Sequence, residues 1–222
     1  MNIRFAHSIC LAAAIAVSGC SEILDTHANG DGPAGPGVLA GPPDGDSISA
    51  SGGVIFNGGN IQLTSNDPLS GQINLRPGGQ PHDTSDYYVN FSGVALSIAD
   101  EPLLTIDALD TAGALACGLE ISGGAFRLVS GQGTTEIGTY SGQADQHNIQ
   151  WRLSRNAARC YVQIDQVAQG TNGPATQPTI SANAPFATAG FADLDRVRIG
   201  WEDAAGTATS YFLGRVVISK RD

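Results

Sequence analysis

Ile149-Gln150-Trp151-Arg152-Leu153 is followed, after a polar turn, by Cys160-Tyr161-Val162-Gln163-Ile164-Asp165. In both runs apolar and polar residues alternate, and successive side chains of an extended chain point to opposite faces. Ile149, Trp151 and Leu153 therefore share one face, and Gln150 and Arg152 the other. Cys160, Val162 and Ile164 separate in the same way from Tyr161 and Gln163. Period two is the mark of a half-buried strand. Trp151 is a core residue by this alternation, whereas Trp201, at the end of its own run, is open to either assignment.

The same character extends in both directions. Asn57-Gly58-Gly59 joins Val54-Ile55-Phe56 to Ile61-Gln62-Leu63-Thr64, a strong hairpin signal. Further strands are expected over 72–75, 87–91, 94–98, 103–108, 115–121, 126–129, 135–140, 179–181, 196–201 and 211–219, most of them bounded by Gly, Pro, Asn, Asp or Ser. No window after the first twenty residues has a helical period. Many short strands without crossover helices imply an all-β, antiparallel two-sheet sandwich over 48–222. Residues 20–47 carry Asn29-Gly-Asp-Gly-Pro-Ala-Gly-Pro-Gly37 and Gly41-Pro-Pro-Asp-Gly45 and read as a flexible tether. As a coil it would reach about 25–30 Å.

The chain opens with Met1-Asn-Ile-Arg4, followed by the apolar run 9–17 and then Ser18-Gly19-Cys20. A charged start, an apolar core and small residues before a cut site describe a signal peptide over 1–19. The apolar run is too short for a membrane span, which takes about 20 residues. Val17-Ser18-Gly19-Cys20 resembles the lipobox of bacterial lipoproteins. The resemblance implies that Cys20 is acylated with palmitate-like chains and that the protein is a lipid-anchored component of the cell envelope. Ser21 after the Cys resembles release to the outer membrane.

The formal charge is −10, from 11 basic and 21 acidic residues. That balance opposes a nucleic-acid partner, because neutralising phosphates needs a basic face. With Cys10 in the signal and Cys20 committed to lipid, Cys117 and Cys160 remain. In an oxidising compartment they are a candidate disulfide; the alternative is two buried thiols.

The passage from His147 to Asp165 resembles the late hairpin of concanavalin A-like jelly rolls, a group that includes laminin G-like and bacterial lectin-like domains. Arg196-Val-Arg-Ile-Gly-Trp201 and Tyr211-Phe-Leu-Gly-Arg-Val-Val-Ile-Ser219 resemble the closing strands of the same group. The resemblance implies a concanavalin A-like jelly-roll sandwich and says little about activity.

The glucanases of that group carry Glu-x-Asp-x-x-Glu on one strand, since retaining hydrolysis needs two carboxyl groups about 5–5.5 Å apart. None of Glu22, Glu101, Glu120, Glu136 and Glu202 begins such a run, and Glu120 is followed by Ile-Ser-Gly-Gly. The Gln-x-His strand of the related lyases is replaced by Gln163-Ile164-Asp165. No catalytic residue is therefore assigned. His82, Asp83 and His147 are too scattered for a zinc site, and Asp165, Asp193, Asp195 and Asp203 read as turn formers before they read as calcium ligands. No metal and no cofactor is expected.

For a ligand, the relevant residues are aromatic and polar groups on the outer face of a sheet: Tyr88, Asn90, Arg152, Tyr161 and Gln163. The expected function is a non-catalytic outer-membrane lipoprotein that binds a glycan or another envelope component. The alternatives are a structural or assembly lipoprotein that meets envelope proteins, and a divergent carbohydrate-active enzyme.

Overall fold

The computed structural model describes residues 20–25, 38–39, 47–51, 54–57, 60–64, 70–77, 86–95, 103–140, 145–168, 175–202 and 210–221. Among them the chain forms sixteen strands. They are β1 (Cys20–Asp25), β2 (Val38–Leu39), β3 (Ser47–Ser51), β4 (Val54–Asn57), β5 (Asn60–Thr64), β6 (Ser70–Arg76), β7 (Asp86–Ala95) and β8 (Leu103–Leu109). The second half supplies β9 (Leu115–Ser122), β10 (Ala125–Ser130), β11 (Gly133–Thr139), β12 (Asp145–Ser154), β13 (Arg159–Ala168), β14 (Ile180–Pro185), β15 (Arg196–Glu202) and β16 (Ser210–Arg221).

Two eight-stranded sheets result, antiparallel throughout. Sheet A runs β14-β13-β12-β7-β16-β5-β4, with β1 also paired to β16; sheet B runs β11-β10-β9-β8-β15-β6-β3-β2. Strands adjacent in space are often far apart in sequence, as where β12 meets β7 and β15 lies between β8 and β6. This is the two-sheet jelly-roll sandwich that the alternation predicts.

Local chemistry explains the elements. Ile149, Trp151 and Leu153 on β12 are buried, as are Cys160, Val162 and Ile164 on β13, all facing the core. Ile73, Leu75, Leu104, Ile106, Val197 and Ile199 face them from sheet B, and Trp201 joins this core at 4% exposure. Burying one such side chain contributes roughly 1.5–3 kcal/mol. The β9–β10 hairpin pairs Ser122 with Ala125, leaving Gly123 and Gly124 as its two-residue turn at φ 56° and 74°. Two successive positive φ values are what a type I′ turn demands, and glycine adopts them without strain. The Gly-Gly that follows Glu120-Ile-Ser is thus turn chemistry.

Cys117 on β9 and Cys160 on β13 form a disulfide across the core, with Cα atoms 6.6 Å apart, and both side chains are buried. The bridge ties sheet B to sheet A.

The 20–47 stretch departs from the coil expected of it. Cys20–Asp25 is strand β1, in register with the last residues of β16 from Cys20 opposite Arg221 to Asp25 opposite Val217. Leu24 is 2% exposed and belongs to the hydrophobic core. Val38–Leu39 pairs with β3. Local composition gives no sign of this, because the partner of β1 is the opposite end of the chain. Residues 1–19, 26–37 and 40–46 lie outside the described residues.

Candidate functional site: the outer face of sheet A

Three neighbouring strands present the five residues singled out in the sequence. Register places Tyr88 of β7 opposite Arg152 of β12, and Arg152 opposite Tyr161 of β13. The row continues to Ser219 of β16 on one side and Asn183 of β14 on the other. Two residues along, Asn90, Gln150, Gln163 and Ser181 form a second row. Directly opposed side chains in a sheet stand about 4.5–5.5 Å apart, close enough to act as one surface.

Arg152 holds the first row together. Its Cζ lies 5.2 Å from the centre of the Tyr161 ring and 6.0 Å from that of Tyr88. Such cation–π contacts are worth about 0.5–1 kcal/mol each at exposed sites. Its Nε and Nη2 donate to Asp86 Oδ2 at 3.1 and 2.7 Å. Asp86 is 6% exposed, so this buried carboxylate holds the guanidinium while 41% of the Arg152 side chain remains exposed. The result is a half-exposed Tyr–Arg–Tyr strip edged by amides. Ring faces and edges offer apolar contact to a sugar, and the guanidinium and amides offer donors and acceptors to its hydroxyls.

Sequence reasoning missed Asp86 and Asn183. Arg159 Nη2 donates to the Asn183 side-chain oxygen at 2.5 Å, which orients that amide. Asp86 carries a signal, since it alternates with Tyr88 and Asn90; Asn183 carries none, because it lies beyond the strand expected over 179–181.

The remaining candidates are dispersed. Asp165 accepts from Thr179 and Gln163 near one end of sheet A, at 2.6 and 3.3 Å. Asp195 directly precedes β15 of sheet B and sits between Arg76 and Arg196, at 3.0 and 2.8 Å. Asp193 accepts from the buried Tyr87 hydroxyl and lies 3.7 Å from Arg155. Burial, followed by the hydrogen bond to Asp193, raises the Tyr87 hydroxyl well above its ordinary pKa. These carboxylates serve ion pairs and hydrogen bonds and do not converge; Asp203, His82 and Asp83 lie outside the described residues. His147 is buried against the rings of Phe126 and Tyr140, 5.4 Å from each. A small cavity of about 190 Å³ opens at the far end of the sandwich, lined by Thr139, Tyr140, Gln166, Gln177, Pro178 and Ile180.

No protein-family model matches the chain, and no curated protein matches it in sequence. Solved structures do match in fold. Lectin I from Ulex europaeus, in complex with the methyl glycoside of α-L-fucose, aligns at 13% identity and TM-score 0.52, over 81% of this chain and 94% of the lectin. The binding domain of botulinum neurotoxin DC, in complex with SialylT, aligns at 9% identity and TM-score 0.51, over 80% of this chain and 43% of that one. A sialidase aligns at 16% identity and TM-score 0.53 over 79% of this chain. The match spans only 16% of the sialidase chain and 43% of the toxin binding-domain chain. At these identities the likeness is one of fold: the chain is a β-sandwich of the concanavalin A-like jelly-roll class.

Proposed function

We propose that this is a non-catalytic, lipid-anchored protein of the bacterial outer membrane whose sandwich binds glycan on the outer face of sheet A. The observation that carries the reading is the register of β7, β12, β13 and β14. It gathers Tyr88, Arg152 and Tyr161 into one row and Asn90, Gln150 and Gln163 into the next. A strip that is aromatic, cationic and amide-rich suits a neutral or acidic saccharide laid across the strands. Structures of lectin domains complexed with sugars share the fold, which is consistent with the proposal. Anchoring rests on the lipobox-like Val17-Ser18-Gly19-Cys20.

The test is a glycan array probed with residues 20–222 carrying Cys20→Ser, in wild-type and Tyr161→Ala forms. One lost aromatic stack of about 1.4 kcal/mol lowers affinity tenfold. Retention of one glycan class by the wild type, weakened about tenfold by the substitution, is expected. No retained glycan, or equal retention by both forms, refutes the assignment.

A further inference from the structure

Strand β1 begins at Cys20, the residue that the proposed function makes the lipid-bearing one, and from there it enters sheet A without an intervening linker. Cys20 stands opposite Arg221, Ser21 opposite Lys220 and Glu22 opposite Ser219. Leu24, four residues from the anchor, is already buried in the core. A chain of this geometry cannot hold the sandwich tens of ångströms away from its own acyl chains. The register extends the Cys20 level across the sheet: Arg221 pairs with Asp86, Asp86 with Ser154 and Ser154 with Arg159. The Arg155–Ala158 turn closes this end, with Asn156 exposed at its tip. Arg159, which donates to the Asn183 side-chain oxygen, lies at the same level as Arg221, with Lys220 next to Arg221 on β16.

We infer that the domain stands directly on the bilayer, with the end formed by Cys20, Arg221, Arg159 and the 155–158 turn seated on phosphate-bearing lipid headgroups. The inference rests on the lipoprotein reading above. It has a consequence for that reading, because the Tyr88–Arg152–Tyr161 row is two residues further along the strands, about 7 Å above the anchor level. A saccharide bound there lies close to the headgroups, as one carried on a neighbouring lipid would. The residues around Gln177 mark the opposite end. Thr176 bonds to Gln166, which is seven residues up β13 from Arg159, about 23 Å at strand rise.

The experiment uses the acylated protein purified from membranes and placed in vesicles of phosphatidylethanolamine and phosphatidylglycerol. A fluorophore is attached through Asn156→Cys or, separately, Gln177→Cys, both exposed positions, after the native disulfide has formed. Quenching by lipid carrying a nitroxide on its headgroup is then recorded. Several-fold stronger quenching at residue 156 than at residue 177 is expected. Metabolic fatty-acid labelling and flotation with the vesicles separate the two possible failures. Labelled, floating protein with equal or reversed quenching overturns the seating alone. Protein that neither takes up label nor floats overturns the lipoprotein reading and the seating with it.

Discussion

Replacing Cys117 and Cys160 together by Ala removes the link between β9 and β13, and the cost follows from the loop that the bridge closes. The two residues are 43 positions apart. In the chain-entropy model a cross-link over that distance lowers the entropy of the unfolded chain enough to stabilise the fold by about 4 kcal/mol. For a domain of this size each kcal/mol moves the melting temperature by about 2–4 °C, so the double variant is expected to melt about 8–16 °C below the oxidised wild type. Both cysteines are fully buried, so truncating them also removes packing. A third sample, wild type reduced under denaturing conditions, alkylation-free and refolded in reductant, keeps the sulfur atoms and isolates the cross-link. Thermal unfolding followed by circular dichroism at one pH and concentration gives all three values. The reduced wild type is expected to account for most of the loss. A double variant that melts within about 2 °C of the oxidised protein, which corresponds to under about 1 kcal/mol, would show that the cross-link does not stabilise the fold as calculated.

Tyr87, held protonated by burial and by Asp193, links stability to pH on the alkaline side. The unfolded chain releases this proton near pH 10 while the folded one retains it, so stability is present below about pH 10 and falls as pH rises beyond it. Urea midpoints measured either side of that pH should show a smaller alkaline loss in Tyr87→Phe than in wild type. Gly131→Ala would place a Cβ 2.5 Å from the Phe186 carbonyl oxygen, and the Gly131 amide already donates to Pro185. Overpacking against backbone of this kind costs about 1–3 kcal/mol, readable as a lower urea midpoint at unchanged slope. Cys20→Ala is expected to abolish metabolic fatty-acid labelling and to release the protein from the membrane fraction; label retained by the variant would contradict acylation at Cys20.

The core of the sandwich was legible because its strands carry their burial in their alternation. Ile149-Gln-Trp-Arg-Leu153 and Cys160-Tyr-Val-Gln-Ile164 keep period two, and each inward residue is buried. What alternation cannot supply is the partner of each strand. Nothing in Cys20-Ser-Glu-Ile-Leu-Asp25 signals that it pairs with residues near 220, and its register shift between Glu22 and Leu24 blurs what period there is. Gly133–Thr139, expected as a strand over 135–140, is an edge strand exposed along most of its length, so its alternation does not tell which neighbour it pairs with. The site shows the same division. Alternation put Tyr88, Arg152 and Tyr161 on outer faces, but only the order β7-β12-β13 puts them side by side. Asp86 became part of the site only when its carboxylate met the Arg152 guanidinium.

The most direct test of the glycan-binding claim is chemical-shift mapping on the soluble 20–222 chain carrying Cys20→Ser, titrated with the strongest array ligand. The largest changes are expected to cluster on the Arg152 side-chain Nε–H, the rings of Tyr88 and Tyr161, and the amides of Asn90, Gln150 and Gln163. Changes centred on sheet B, or on the cavity at Tyr140 and Gln166, with the Tyr88–Arg152–Tyr161 row unmoved, would contradict the claim.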